Sequence, residues 1–195
     1  MQVAIAVIVA YCYGAIPFGY IAARLIHGVR LDREGTGNIG VTNAFKAGGT
    51  AAGIITVLGE ISKAVVAIGL SSMFFTGDRH IAMALLYAAM VGTSFSLFLK
   101  GRGGKGSTLG GWGLFFISPA ACVILLTLSF LVIKAATQAG RPGLKKIPLL
   151  LIPIVPYLVE RDVFFGVFGV LTSILYLLNR YGRKDDFLYY GILKK

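Results

Sequence analysis

Residues 108–133 read TLGGWGLFFISPAACVILLTLSFLVI, and how that run divides decides how many times the chain crosses a bilayer. The run carries no charge, and Ser118-Pro119 stand at its middle. Proline removes a backbone hydrogen-bond donor but suits the first turn of a new helix. The run therefore splits there into two short helices.

Working outward, further apolar runs cover Met1–Ile26, Thr50–Thr76, Ile81–Leu99, Ile147–Val159 and Val163–Leu178. Most approach the ~20 residues that span hydrocarbon. The 195 residues are 56% hydrophobic, with a mean hydropathy of +0.80, well above the roughly 45–50% apolar content of a soluble domain. Backbone polar groups find no water in lipid, so runs rich in Leu, Ala, Phe and Gly without strand alternation should be helices. The expectation is one all-α transmembrane domain over residues 1–195, with about seven short transmembrane helices. Ile147–Val159 is shorter than ~17 residues and has to sit half-buried or thin the bilayer locally. The first run has no basic residue ahead of it and no small-x-small cleavage site, so it reads as an uncleaved helix.

A formal charge of +11 points to nucleic acid in a soluble protein, but here the basic residues fill the gaps between apolar runs. Topology explains them, and no nucleic-acid partner is expected. Six undivided runs put basic gaps on both sides of the membrane. Seven, with the amino terminus outside, put Arg30, Arg33, Lys46, Lys100, Arg102, Lys105, Lys134, Arg141, Lys145, Lys146, Arg180, Arg183, Lys184, Lys194 and Lys195 on one face. Only Arg79 and Arg161 face the other side, while Arg24 and Lys63 lie inside the runs. A multi-pass protein of the inner (cytoplasmic) membrane follows, with its carboxyl terminus in the cytoplasm. Cys12 and Cys122 lie inside apolar runs, with neither metal-ligand spacing nor a disulfide framework. No metal or cofactor site is visible.

Two gaps carry the candidate chemistry. The first holds Gly35-Thr36-Gly37-Asn38-Ile39-Gly40-Val41-Thr42-Asn43. It matches G-x-G-x-x-G, but a dinucleotide fold needs a preceding strand, and a membrane helix stands there instead. What remains is local physics. Glycines let successive N–H groups converge on an anion, Thr36, Asn38, Thr42 and Asn43 add donors, and Lys46 adds countercharge. A plain polar turn explains the same residues about as well. The second gap, Lys100-Gly101-Arg102-Gly103-Gly104-Lys105-Gly106-Ser107, runs straight into an apolar helix whose amino terminus favours an oxyanion. It is not a Walker A loop, because Gly106 separates Lys105 from Ser107. Glu60 and Lys63 share one face of the second run, where they pair either structurally or as part of a wet site.

Taken together, these segments resemble the bacterial acyl-phosphate:glycerol-3-phosphate acyltransferases, the PlsY family. That family is similar to Gly-Ser-Ile-Pro-x-Gly, Gly-Ser-Gly-Asn-x-Gly-Ala-Thr-Asn, Asp-x-x-Lys-Gly and Phe-Lys-Gly-Gly-Lys-Gly in this order. Here stand Gly14-Ala15-Ile16-Pro17-Phe18-Gly19, Gly35 to Asn43, Glu60-Ile61-Ser62-Lys63-Ala64 and Arg102-Gly103-Gly104-Lys105-Gly106. The resemblance implies seven helices with the amino terminus outside. It also implies transfer of a fatty acyl group from acyl phosphate to the 1-hydroxyl of sn-glycerol 3-phosphate, giving lysophosphatidate and phosphate for phospholipid synthesis. Acyl phosphate, glycerol 3-phosphate and membrane lipid are the implied partners.

On that resemblance Lys105, Thr36 and Asn38 are catalytic. Gly35, Gly37, Gly40, Thr42, Asn43, Lys46, Gly103, Gly104, Gly106 and Arg180 bind substrate. Gly92-Thr93 and Ser96 stand where the family often has Gly-His and then Pro, and Asn179-Arg180-Tyr181-Gly182 where it has His-Arg-x-Asn. Ala139 to Lys146 replaces its Arg-Tyr-x-Ser-Leu-Ala-Ser segment. These acceptor-side departures leave open a different small acceptor, or a non-catalytic or anion-transporting relative.

Overall fold

In a computed structural model of the chain, residues 1–141, 144, 146–180 and 189 are described, with Arg180 placed by its backbone alone. Nine α-helices follow in order among them: α1 (Gln2–Gly14), α2 (Phe18–His27), α3 (Val41–Ala47), α4 (Thr50–Phe74), α5 (Arg79–Ser94), α6 (Ser107–Ile117), α7 (Pro119–Gln138), α8 (Ile147–Glu160) and α9 (Val163–Arg180). A 3-10 turn, Leu97–Leu99, follows α5, and no strand occurs among the described residues. Counting α1 and α2 as one broken span, seven apolar helical segments result, four of them long enough to cross a membrane and three shorter.

The division at Ser118-Pro119 is as expected. Ser118 caps α7 by accepting from the Ala121 N–H, and Pro119 occupies its first turn. Asp78 caps α5 through the N–H groups of His80 and Ile81. The first run departs from the single helix expected of Met1–Ile26. It breaks at Ala15 to Pro17 because Pro17 donates no hydrogen bond and keeps the residue before it out of helical geometry. The short helix α3, inside the first glycine-rich gap, has no counterpart in the apolar pattern. The third run unwinds at Phe95, four residues before its expected end at Leu99.

Packing follows lipid rules. Large apolar side chains point outward, among them Ile8, Leu58, Met73, Leu126, Phe130, Leu150 and Leu178, while Glu60, Lys63, Thr56 and Ser71 are buried. Small residues let helices approach where no hydrophobic effect pulls them together. At the crossing of α1 and α5, a Cβ on Gly14 would sit 2.2 Å from the Ala89 carbonyl oxygen, and one on Gly92 2.2 Å from that of Tyr11. Helix α5 packs against α1, α4, α6 and α9. Its Met83, Leu85, Leu86 and Met90 form the core with Leu109, Leu114, Phe165 and Leu175.

One end of the bundle is closed by a polar clasp. Arg79 pairs with Glu160 at 2.6 Å, Ser118 donates to the same carboxylate, and His80 meets Asp162 at 2.7 Å. The α4–α5, α6–α7 and α8–α9 junctions thus share an end, as alternate crossing requires. Of the basic residues assigned to the opposite face, Lys145, Arg183, Lys184, Lys194 and Lys195 lie outside the described residues, as does the side chain of Arg180.

Candidate active site

At the end opposite the clasp, the helix breaks coincide. Ala15 to Pro17 between α1 and α2, the Gly40 start of α3, Thr93 near the end of α5 and the Gly106 start of α6 all border one cavity of about 180 Å³. Irregular backbone inside a membrane bundle is tolerated where it lines such a space. The first turns of three helices reach its wall, through Phe18 and Gly19, Val41 and Thr42, and Ser107 and Thr108. Helix amino termini present N–H groups and partial positive charge, so the cavity favours an oxyanion. Lys105 stands on the wall between Gly104 and Gly106, and Lys63 and Glu60 form another part of it.

The first glycine loop is held from behind. Asn43 is fully buried. Its amide nitrogen donates to the Leu31, Glu34 and Asn38 carbonyls at 3.3, 3.1 and 2.7 Å, and its carbonyl accepts from the Thr36 N–H at 3.1 Å. The Thr36 hydroxyl accepts from the Asn38 N–H at 3.3 Å. Arg30 clamps Asp32 through two bonds of 3.2 and 2.7 Å. The guanidinium's hydrogen bonds hold the Asp32 carboxyl below its ordinary value.

The second loop is seated on α5. The N–H groups of Gly103 and Gly104 donate to the Ser94 and Thr93 carbonyls at 3.1 and 2.8 Å. A Cβ on Gly103 would lie 1.9 Å from the Thr93 oxygen, so only glycine permits this seat. Gly106 is left-handed, with φ of 70°, and turns the chain into α6. From α9, buried Asn179 donates to the Gly104 carbonyl.

Of the residues expected from sequence, Asn38, Gly40, Thr42, Gly104, Lys105 and Gly106 form the cavity wall. Thr36, Asn43 and Gly103 are buried behind it, and Gly35 and Gly37 lie in the turn that carries Asn38. Lys46 is exposed on α3 and does not line the wall. Arg180 ends α9. In sequence the wall residues Glu60 and Lys63 read equally as a structural pair, and Thr93 and Asn179 stand out only as departures from a family pattern. A charged pair inside an apolar run was the available signal for the first two. For Thr93 and Asn179, no local signal exists, because their side chains meet partners 30 and 79 residues away for Thr93 and 75 for Asn179. Among the described residues no group of His, Cys, Asp and Glu is placed to hold a metal.

The family model described as Glycerol-3-phosphate acyltransferase matches residues 4–183. A protein of Syntrophomonas wolfei named Glycerol-3-phosphate acyltransferase is 30% identical over 175 residues, 90% of this chain and 88% of the relative. One of Carboxydothermus hydrogenoformans with the same name is 28% identical over 176 residues, 89% of this chain and 87% of the relative. The fold is similar to a crystal structure of PlsY, described as an integral membrane glycerol 3-phosphate acyltransferase, in its glycerol 3-phosphate form. That likeness has a TM-score of 0.73 and 23% identity, covering 92% of this chain and 88% of the other. The lysophosphatidic acid form matches with the same TM-score at 21% identity, covering 100% and 95%.

Proposed function

Because the chain belongs to the glycerol-3-phosphate acyltransferase family, we propose that it transfers a fatty acyl group from an acyl phosphate to the 1-hydroxyl of sn-glycerol 3-phosphate. The products are lysophosphatidate and inorganic phosphate, and the step is the first acylation of phospholipid synthesis. The observation that carries this reading is the cavity on which Lys105 and the first turns of α2, α3 and α6 converge.

The chemistry asks little of the protein beyond position and charge. An acyl phosphate is already activated, so no covalent enzyme nucleophile is needed. The glycerol hydroxyl oxygen attacks the acyl carbonyl carbon, the carbon–oxygen bond to phosphate breaks, and the departing phosphate accepts the hydroxyl proton. Charge develops on the carbonyl oxygen and then on the leaving phosphate. Helix amino termini and the Lys105 ammonium offset it without reorganising. Asn38, Gly40 and Thr42 face the same space and orient the phosphoryl group, while Thr36 and Asn43 fix the loop that carries them. Lys46, exposed on α3 beside the first loop, and Arg180 at the end of α9 are assigned to the glycerol phosphate. Residues 1–195 act as one transmembrane domain in the inner membrane, with the amino terminus outside and the two loops in the cytoplasm, a topology supported by the distribution of Lys and Arg.

Purified protein given palmitoyl phosphate and labelled glycerol 3-phosphate should form labelled lysophosphatidate, and palmitoyl-CoA in place of palmitoyl phosphate should not support it. Product from palmitoyl-CoA alone would overturn the donor assignment.

A further inference from the structure

Lys63 lies at the fourteenth position of α4 with 2% of its side chain exposed, inside the bundle rather than in a cytoplasmic loop. Its ammonium donates to Glu60 at 2.7 Å and to the Thr93 hydroxyl at 3.1 Å. An ammonium has three N–H donors. The Phe18 ring lies 5.6 Å from it. The third donor thus has no hydrogen-bond acceptor among the described residues, and Lys63 lines the cavity. A buried ion pair with a merely structural role gains little over apolar residues of the same volume. This pair instead borders the space into which the glycine loops and helix termini also open.

Thr93 links that charge to the loop. Its hydroxyl donates to the Gly14 carbonyl at 2.8 Å, where α1 ends, and its own carbonyl accepts from the Gly104 N–H at 2.8 Å. One residue thus ties α1, α4, α5 and the loop that carries Lys105 at the cavity wall. Glu60 fixes the ammonium from the other side and offsets its charge before an anion enters.

We propose that Lys63 is a phosphoryl-binding residue of this enzyme, donating its third N–H to a phosphoryl oxygen of one of the two substrates, and that Glu60 and Thr93 are its positioning residues. The inference rests on the acyl-transfer reading, and Lys63 is distinct from Lys105, which sits on the opposing loop. The shared chemistry is a phosphate monoanion or dianion, borne either by acyl phosphate or by glycerol 3-phosphate.

The test is a double variant, Glu60→Gln with Lys63→Gln, whose two amides bond to each other and keep the interior neutral. Losing one charge-assisted hydrogen bond should raise KM about tenfold or more for palmitoyl phosphate, or for glycerol 3-phosphate, and the substrate affected identifies the phosphate held. Both KM values within about twofold of wild type, or a loss confined to kcat, would overturn the proposal. Should the double variant fail to fold, Thr93→Val should raise the same KM and Thr93→Ser restore it; unchanged KM values in Thr93→Val would count equally against the proposal. If the wild type itself transfers no acyl group, the acyltransferase reading fails separately. Titration of palmitoyl phosphate and glycerol 3-phosphate onto wild type and double variant then decides the role of Lys63, by weakened affinity for one of them or equal affinity for both.

Discussion

Asn43 organises the first loop from a single side chain, meeting four backbone groups between Leu31 and Asn38 while itself fully buried. Its role was legible in sequence only as a donor near glycines. Sequence order cannot say that it faces the protein and that its neighbour Thr42 faces the cavity. Replacing Asn43 by Ala leaves buried backbone groups unsatisfied, at about 1–3 kcal/mol, so Tm should fall by roughly 2–10 °C. An unchanged Tm by thermal shift in detergent would show that the loop holds itself. The Arg30–Asp32 clamp behaves as a lowered carboxylate. Its folded pKa lies below the ordinary 3.8, so its contribution is present above that value and lost as pH falls through the lower folded one. The Tm difference between wild type and Asp32→Asn should therefore persist from neutral pH to about pH 4 and vanish below it. A difference that disappears near pH 6 would point to another group.

At the level of elements, seven apolar segments and the break at Ser118-Pro119 could be read directly, because hydrophobic run length and proline chemistry are local. The break at Ala15 to Pro17 carried the same proline signal but was masked by a continuous apolar run. Helix α3 was hidden because seven residues among glycines show no apolar period. The seat of the second loop on α5 was illegible for another reason: Thr93 and Ser94 are ordinary helix residues until the loop folds back on them. That seat makes adjacent glycines unequal. A Cβ on Gly103 would meet backbone oxygen at 1.9 Å, whereas one on Gly104 would find Ile39 and Thr93 side-chain carbons at 3.7 Å. Gly103→Ala should lower Tm clearly and abolish turnover, while Gly104→Ala should stay within about 2 °C of wild type. Equal Tm values for the two variants, measured side by side, would contradict the seat.

For the whole molecule, the charge pattern and the structure agree on which loops share an end. The Arg79–Glu160–Ser118 and His80–Asp162 contacts gather three junctions at one end, and the cavity gathers the basic glycine loops at the other. Which end faces the cytoplasm rests on the distribution of Lys and Arg. In intact cells a single cysteine at position 161 should react with a membrane-impermeant maleimide, and one at position 102 only after permeabilisation, each in a background with Cys12 and Cys122 replaced. The reverse pattern would invert the molecule and place the cavity away from its proposed substrates.

The central claim is that the cavity around Lys105 performs acyl transfer, and the most direct measurement is kcat/KM for lysophosphatidate formation by the Lys105→Ala variant beside wild type. Removing a preorganised charge that meets the reacting group should cost about 10²-fold or more, with the variant still folded. A folded Lys105→Ala variant turning over at the wild-type rate would contradict the account and move the chemistry elsewhere in the bundle.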